Sequence, residues 1–384
     1  MVTGQEAILM DRRARLKELT LLFLKLGTIA FGGPAAHIAM MEDEVVKKRK
    51  WMERQHFLDL IGATNLIPGP NSTEMTMHIG HERAGFVGLL VAGASFILPA
   101  VLITAVFAWL YQQYGQLPQV EPFIYGIKPA VIAIIVAAVY SLGQKAVKNL
   151  QLLLLGLLTL AAALVGVNEI AALLGAGFAG LLLYAIKNQR VTLKSIAPTL
   201  LLQPLYADTL PISLVSIFFT FLKIGAILYG SGYVLFAFLD AELVAKGFME
   251  RRQLIDAIAV GQFTPGPVLS TATFVGWQLD GWQGAGAATA GIFLPSFFFV
   301  LVLNPIIPRL RKSKLFSAFL DAVNVASVAV IVAVVIEMGK STLTDWRTIV
   351  IVVASLVVVF WLKKLNSAFI VIGGALLGYL LSLI

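Results

Sequence analysis

The sequence predicts an all-α, polytopic membrane protein built from two homologous halves in inverted topology. Each half has two broken or re-entrant helices followed by four spanning helices. Three observations predict this. Of the 384 residues, 59% are hydrophobic and only 13% charged, with a mean hydropathy of +0.88, whereas a soluble domain carries roughly 25% charged residues. Apolar runs near the ~20 residues a spanning helix needs recur from end to end. An ordered series of short motifs in the first half reappears in the second.

The apolar segments lie at about 19–41, 57–79, 85–110, 123–143, 150–166 and 169–186, then at 212–239, 254–276, 284–305, 316–338, 348–362 and 366–384. The repeat runs through both sets. Phe23-Leu24-Lys25-Leu26-Gly27 matches Phe221-Leu222-Lys223-Ile224-Gly225, and Met52-Glu53-Arg54 matches Met249-Glu250-Arg251. Asp59 matches Asp256, Pro68-Gly69-Pro70 matches Pro265-Gly266-Pro267, Gly85 matches Gly281, and Leu98-Pro99 matches Leu294-Pro295. The offset drifts only from 198 to 196, so the order is kept. We divide the chain into 1–190, a linker at 191–211, and 212–384. The first 18 residues are polar and lack the apolar core of a signal peptide.

The first two segments of each half are interrupted. Gly32-Gly33-Pro34 breaks the first segment and Pro-Gly-Pro the second; in half two the corresponding stretches are Gly230-Ser231-Gly232 and Pro265-Gly266-Pro267. Proline removes a backbone donor and clashes with the preceding turn. Unwound backbone at membrane depth is tolerated only where protein buries it or a cavity takes it.

Lys and Arg set the expected sidedness. Loop 42–56, with Lys47, Lys48, Arg49, Lys50 and Arg54, goes inside, and loop 111–122, without a basic residue, outside. Lys145, Lys148, Lys187, Arg190 and Lys194 go inside, provided 57–79 dips in and returns. In half two, 240–253 goes outside, while Arg309, Arg311, Lys312, Lys314, Lys363 and Lys364 go inside. Equivalent loops thus fall on opposite sides. The N-terminus conflicts with this rule, because strict inversion sends it outside although it carries Arg12, Arg13, Arg15 and Lys17.

Inverted repeats with broken helices at matching positions are the architecture of secondary transporters. An anion leaving water needs compensation, and half-helix N-termini supply free N–H groups and a positive dipole end. Candidate anion-binding residues are therefore Gly32, Gly33, Pro34, Asn65, Pro68, Gly69, Pro70, Asn71, Ser72 and Thr73 in half one. Those in half two are Gly230, Ser231, Gly232, Thr264, Pro265, Gly266, Pro267, Ser270 and Thr271. Lys25 and Lys223, equivalent cations inside apolar segments, are expected to face the anion. Glu74 follows the first Pro-Gly-Pro; an acid beside an anion site needs a proton or a partner, which makes it the proton-coupling candidate. His37, His78 and His81 titrate near neutral pH in principle, with His81 expected in a loop. Glu53-Arg54 and Glu250-Arg251 read as helix-start electrostatics with surface ion pairs.

Other classes find no support. The basic residues sit in loops, so nucleic-acid binding is not expected from the net charge of +8. No cysteine is present, which excludes disulfides and thiolate metal sites. Gly339-Lys340-Ser341 lacks the first glycine of a phosphate-binding loop, and His81-Glu82 lacks the second histidine of a zinc protease motif. No cofactor, metal or catalytic residue is expected, and the chain does not read as an enzyme.

Phe31-Gly32-Gly33-Pro34, Trp51-Met52-Glu53, Asn65-Leu66-Ile67-Pro68-Gly69-Pro70 and Phe96-Ile97-Leu98-Pro99-Ala100 resemble the chromate transporter family of bacteria and archaea. Phe263-Thr264-Pro265-Gly266-Pro267 and Phe293-Leu294-Pro295 resemble that family's C-terminal domain. The resemblance covers nearly the whole chain in its long, two-domain form. It implies a multi-pass protein of the prokaryotic plasma membrane that exports chromate from the cytoplasm and confers chromate resistance. It also implies competition by sulfate. Alternating access around a midplane site is the expected mechanism, sulfate or another tetrahedral oxyanion the alternative cargo, and a homodimer an expected assembly. Half two departs at Gly230-Ser231-Gly232, which puts equal ligand contacts from the two domains in doubt.

Overall fold

A computed structural model of the chain describes residues 4–31, 33–115, 117–187, 213–229, 232–303, 313–362 and 365–384. Half one contains α1 (Gly4–Ile29), α2 (Gly33–Met41), a π-helical turn (Glu42–Lys48), α3 (Arg54–Thr64), α4 (Asn71–Tyr114), α5 (Glu121–Ala146), α6 (Leu150–Leu164) and α7 (Glu169–Lys187). Half two contains α8 (Leu214–Ile227), α9 (Val234–Leu239), a π-helical turn (Asp240–Val244), α10 (Arg251–Phe263), a 3-10 turn (Val268–Ser270), α11 (Thr271–Leu303), α12 (Lys314–Thr342), α13 (Trp346–Trp361) and α14 (Ser367–Ser382).

The repeat extends to backbone detail. Both Pro-Gly-Pro sequences end one helix and start the next: α3 stops at Thr64 and α4 starts at Asn71, while α10 stops at Phe263 and α11 starts at Thr271. Long helices α4 and α11 kink at equivalent places, Ala84-Gly85 and Asp280-Gly281, where the glycines take φ of 66° and 53°. Glu53 and Glu250 both hold extended backbone at the helix starts, with φ of −73° and −75°. Asn149 and Asp345 cap α6 and α13 through their side chains, satisfying amides the first turn leaves orphaned.

The kinks explain the conflict at the N-terminus. Arg83, beside the α4 kink, bonds Glu18 of α1 at 2.9 Å and stacks over Trp51 of the 49–53 loop at 4.9 Å. Residue 18, the loop and the kink therefore lie at one level. The α1–α2 pair dips in and returns, as does α3 with the first limb of α4. The polar part of α1 thus lies on the face carrying the Lys-rich loop, as its own charge demands. Sequence counting treated the first segment as a crossing; the break at Gly33, with φ of 76°, folds it back.

The halves are inverted. Lys128 near the start of α5 pairs with Asp256 near the start of α10 at 2.9 Å, and Arg252 approaches Glu121 at 3.5 Å. The start of α10 thus lies at the far end of α4's long limb. The start of α3 lies at the near end, where His56 meets Glu82 at 3.0 Å.

Among the described residues five helices are long and apolar enough to cross a membrane, α4, α5, α7, α11 and α12. With 15, 16 and 16 residues, α6, α13 and α14 rise about 22–24 Å, less than the ~30 Å hydrocarbon core; such a mismatch is met by local thinning of the bilayer. Their outward leucines and valines, such as Leu154, Leu158, Val353 and Val357, suit lipid.

The halves are stitched at their breaks. The Gly69 amide donates to the Leu228 carbonyl at 2.7 Å, and the Gly266 amide to the Ala30 carbonyl at 2.8 Å. These are repeat-equivalent bonds, each from one half's Pro-Gly-Pro to the end of the other half's first helix. Thr104 adds a bond to Ser270 at 3.2 Å.

Candidate functional site

A cavity of about 770 Å³ opens between the halves. Its inner wall is made by helix beginnings: Gly33 and Pro34 at the start of α2, Asn71 at the start of α4 with Asn65 and Leu66 before it, and Gly232 to Val234 at the start of α9. Asn71 Nδ2 donates to Asn65 Oδ1 at 2.6 Å, fixing the rim of the first Pro-Gly-Pro break. The outer walls are the last turns of α5 (Ser141, Lys145) with Lys148 just beyond it, and the first turns of α12 (Ser317, Asp321, Asn324, Ser327). Ser327 donates to the Tyr229 carbonyl at 3.0 Å, so even the half-two break is tied to this wall.

The cavity is electropositive. Lys148 and Asp321 pair at 2.6 Å and cancel. Lys145 is exposed and makes no ion pair among the described residues, leaving one net positive charge on the lining. Helix N-termini at α2 and α4 add partial positive charge at the floor. Such a chamber suits a small anion and places N–H donors where its oxygens would sit.

Of the sequence candidates, Gly33, Pro34, Asn65, Asn71 and Gly232 line this cavity. Gly32, Gly230 and Ser231 lie outside the described residues. Pro68, Gly69 and Pro70 are buried just behind the rim. Ser72 meets the ring of His37 at 3.2 Å, and His37 also contacts the Ala30 carbonyl at 3.0 Å. Thr73 and Glu74 are fully buried, and among the described residues neither Thr73 Oγ1 nor either Glu74 oxygen has a hydrogen-bond partner. Thr264, Pro265, Gly266, Pro267, Ser270 and Thr271 are buried in the seam rather than on the cavity; Thr264 and Thr271 bond backbone carbonyls of their own segment.

Lys25 and Lys223 do not line the cavity. Lys25 meets Glu44 at 3.2 Å, a carboxylate that also holds Lys48 and Arg49. Lys223 meets Glu242, which also holds Lys246 at 2.6 Å. Both are exposed cations answered by a glutamate on the following π-helical turn. His81 lies inside α4, not in a loop, because that helix continues to the kink. The Glu-Arg junctions do form local ion pairs, Arg54 to Glu42 at 3.0 Å and Arg251 to Asp240 at 3.0 Å; Arg251 also reaches Glu337 at 3.1 Å.

Two sets of residues escaped the sequence reading. The first is the polar stripe of α12, Ser317, Asp321, Asn324 and Val328 on one face at helical spacing, three of them polar inside an apolar run and so a legible signal. The second is the buried cluster in which Asp256 takes the Lys128 ammonium at 2.9 Å and the Tyr111 hydroxyl at 2.6 Å. It joins the two halves across 128 residues of sequence, and no local pattern points to it.

Comparison with known proteins agrees with this architecture. A family model described as chromate transporter matches twice, at residues 17–181 and 215–379. A probable chromate transport protein of Synechococcus elongatus is 32% identical over 377 residues, 94% of this chain and 95% of its own. The chromate transport protein of Cupriavidus metallidurans is 30% identical, covering 94% and 92%. An uncharacterized transporter of Methanocaldococcus jannaschii is 28% identical over the same shares. The uncharacterized transporter YwrA of Bacillus subtilis aligns with 34% of this chain over 73% of its own. No solved structure matches the chain. With two copies of the family's domain, an electropositive chamber between them and full-length relatives at this identity, the chain belongs to the chromate transporter family, membrane transport proteins rather than enzymes.

Proposed function

We propose that the chain exports chromate across a prokaryotic plasma membrane and so confers chromate resistance. The cargo binds in the 770 Å³ cavity and leaves when the halves rock about their seam. The observation that carries this reading is the cavity itself: it is electropositive, floored by the N-termini of α2 and α4, and open at the end bearing Lys145 and Lys148. The positive-inside rule assigns that end to the cytoplasm, so the chamber is poised to load from within.

The membrane potential favours this direction. A dianion leaving a cell that is negative inside gains about 4–5 kcal/mol at 100 mV, enough to drive export without a second ion. Glu74 is the candidate for proton coupling. Its carboxyl is fully buried behind the cavity rim without a hydrogen-bond partner among the described residues, and a proton is the partner that removes the cost of an isolated buried charge. Sulfate is the second reading for the cargo, because helix amides and a lysine read charge and tetrahedral oxygens rather than the central atom.

Chromate flux in proteoliposomes under imposed potentials, with and without sulfate, tests these readings. Voltage-driven uniport predicts flux that rises with potential. Flux indifferent to potential but requiring sulfate on the opposite side replaces uniport by exchange. No chromate flux under any condition refutes the proposal.

A further inference from the structure

A second, smaller cavity of about 280 Å³ lies at the opposite end of α5 and α12, between Lys128 and Arg252 on one side and Thr342 and Thr348 on the other. It is the repeat image of the large cavity. The caps Asn149 and Asp345 and the turns before them align α5 with α12 at an offset of 196. At that offset Leu320, Asp321 and Asn324 of the large cavity correspond to Ile124, Tyr125 and Lys128, and Lys145, Ala146 and Lys148 correspond to Ser341, Thr342 and Thr344. All six counterparts line the small cavity.

The same surface is thus present twice, around about 770 Å³ at one end of the protein and about 280 Å³ at the other. What narrows it is explicit. Lys128 is held by Asp256 at 2.9 Å, and Tyr111 donates to the same carboxylate at 2.6 Å. Arg252 leans to Glu121 at 3.5 Å, and Tyr125 bonds Asp345. On its wall Thr342 is 7% exposed and its hydroxyl has no hydrogen-bond partner among the described residues. A polar group buried at that cost in a wall that also carries two cations marks a binding surface out of use.

We propose that the small cavity is the exit-side site for the same tetrahedral oxyanion, held narrow here, with Lys128 its cargo-facing cation once Asp256 lets go. The inference rests on the alternating-access reading above and adds a site to it. In inverted repeats the two access states arise when the halves exchange shapes. The exchange carries this cavity to the size of its image and turns Lys128 from Asp256 toward a dianion with twice the charge. Tyr111 stays on the carboxylate, and water entering the opened end solvates it.

The absence of native cysteine permits a direct test in the full-length chain. Thr342→Cys reports on the small cavity and Ser141→Cys on the large one, each labelled by a membrane-impermeant maleimide in vesicles of either orientation. Adding Asp256→Asn is expected to speed labelling of Thr342→Cys from the exit side by roughly tenfold, an ordinary conformational coupling, and to slow labelling of Ser141→Cys. Tyr111→Phe, a milder loosening of the same latch, moves both rates in the same directions by less. In the Asp256→Asn background chromate is expected to slow labelling of Thr342→Cys, and the further change Lys128→Met to abolish that protection. Unchanged labelling with Asp256→Asn and Tyr111→Phe overturns the latch, and protection that survives Lys128→Met overturns the site. Chromate flux by Thr342→Cys with Asp256 intact reports separately on the transport reading, so the two fail independently.

Discussion

Replacing Gly266 by alanine puts a methyl group into the seam that joins the halves. Gly266 holds φ of 84° and its amide donates to Ala30 at 2.8 Å. A Cβ there would lie 2.8 Å from the Ala100 Cβ and 3.2 Å from the Gly27 carbonyl oxygen. The left-handed backbone costs an L-residue about 1–2 kcal/mol, and an extra methyl in a close-packed site about 1–3 kcal/mol. The sum, about 2–5 kcal/mol, is a large share of the stability of any protein. Gly286→Ala is the matched control, because Gly286 lies within α11 with no described residue within 4 Å of its Cβ position. There alanine is expected to be neutral or better by up to about 1 kcal/mol, the helix-propensity difference. The assay is the fraction of monodisperse protein surviving a heating series in detergent. Gly266→Ala is expected to lose about 2–6 °C of midpoint and Gly286→Ala none. If the two melt alike, the seam is not where the halves are held.

Further expectations follow from the same contacts. Asp256→Asn or Lys128→Met alone leaves an uncompensated buried charge or a broken pair and is expected to destabilise by about 3–5 kcal/mol, the double change by less, because removing both partners leaves no orphan; melting of the three variants checks this. Asp345→Ala removes the α13 cap and is expected to cost about 1 kcal/mol, whereas Asp345→Asn retains most of it. The Tyr125 hydroxyl first, and then the Thr348 amide, hold the Asp345 carboxyl below its usual range. Because the folded-state value is depressed, the ionic part of that contribution is present at neutral pH. It is lost only as pH falls from the ordinary carboxylate range through the depressed value, so the difference between wild type and Asp345→Asn should vanish in acid and not on the alkaline side. Midpoints measured across that range test the sign.

The repeat and the breaks were legible because they are local chemistry. Pro-Gly-Pro interrupts a helix wherever it falls, and two copies at one offset announce two halves. Sidedness was only partly legible. Charge counting assumes that each apolar segment crosses, and α1 with α2 folds back instead, which a count of lysines does not register. The roles of Lys25 and Lys223 were misplaced for a related reason. Their depth suggested a cargo, yet Glu44 and Glu242 each stand 19 residues later, a spacing kept in both copies that, noticed, names the partners. The stripe of Ser317, Asp321 and Asn324 was visible as polar residues on one helical face, but it acquires a meaning only beside the end of α5. Lys128 with Asp256 was not legible at all. The pair depends on how one half docks on the other, and the symmetry that makes the two cavities images of each other emerges only after that docking.

The central claim is that cargo recognition belongs to the cavity between the halves and not to the lysines of the first helices. Equilibrium binding of labelled chromate to purified Lys145→Met and Lys25→Met separates these most directly. Lys145 stands on the cavity wall without an ion-pair partner among the described residues, whereas Glu44 keeps Lys48 and Arg49 when Lys25 is lost. The account predicts Kd about tenfold weaker for Lys145→Met, the equivalent of about 1.4 kcal/mol, and unchanged for Lys25→Met. Binding lost in Lys25→Met and retained in Lys145→Met contradicts it.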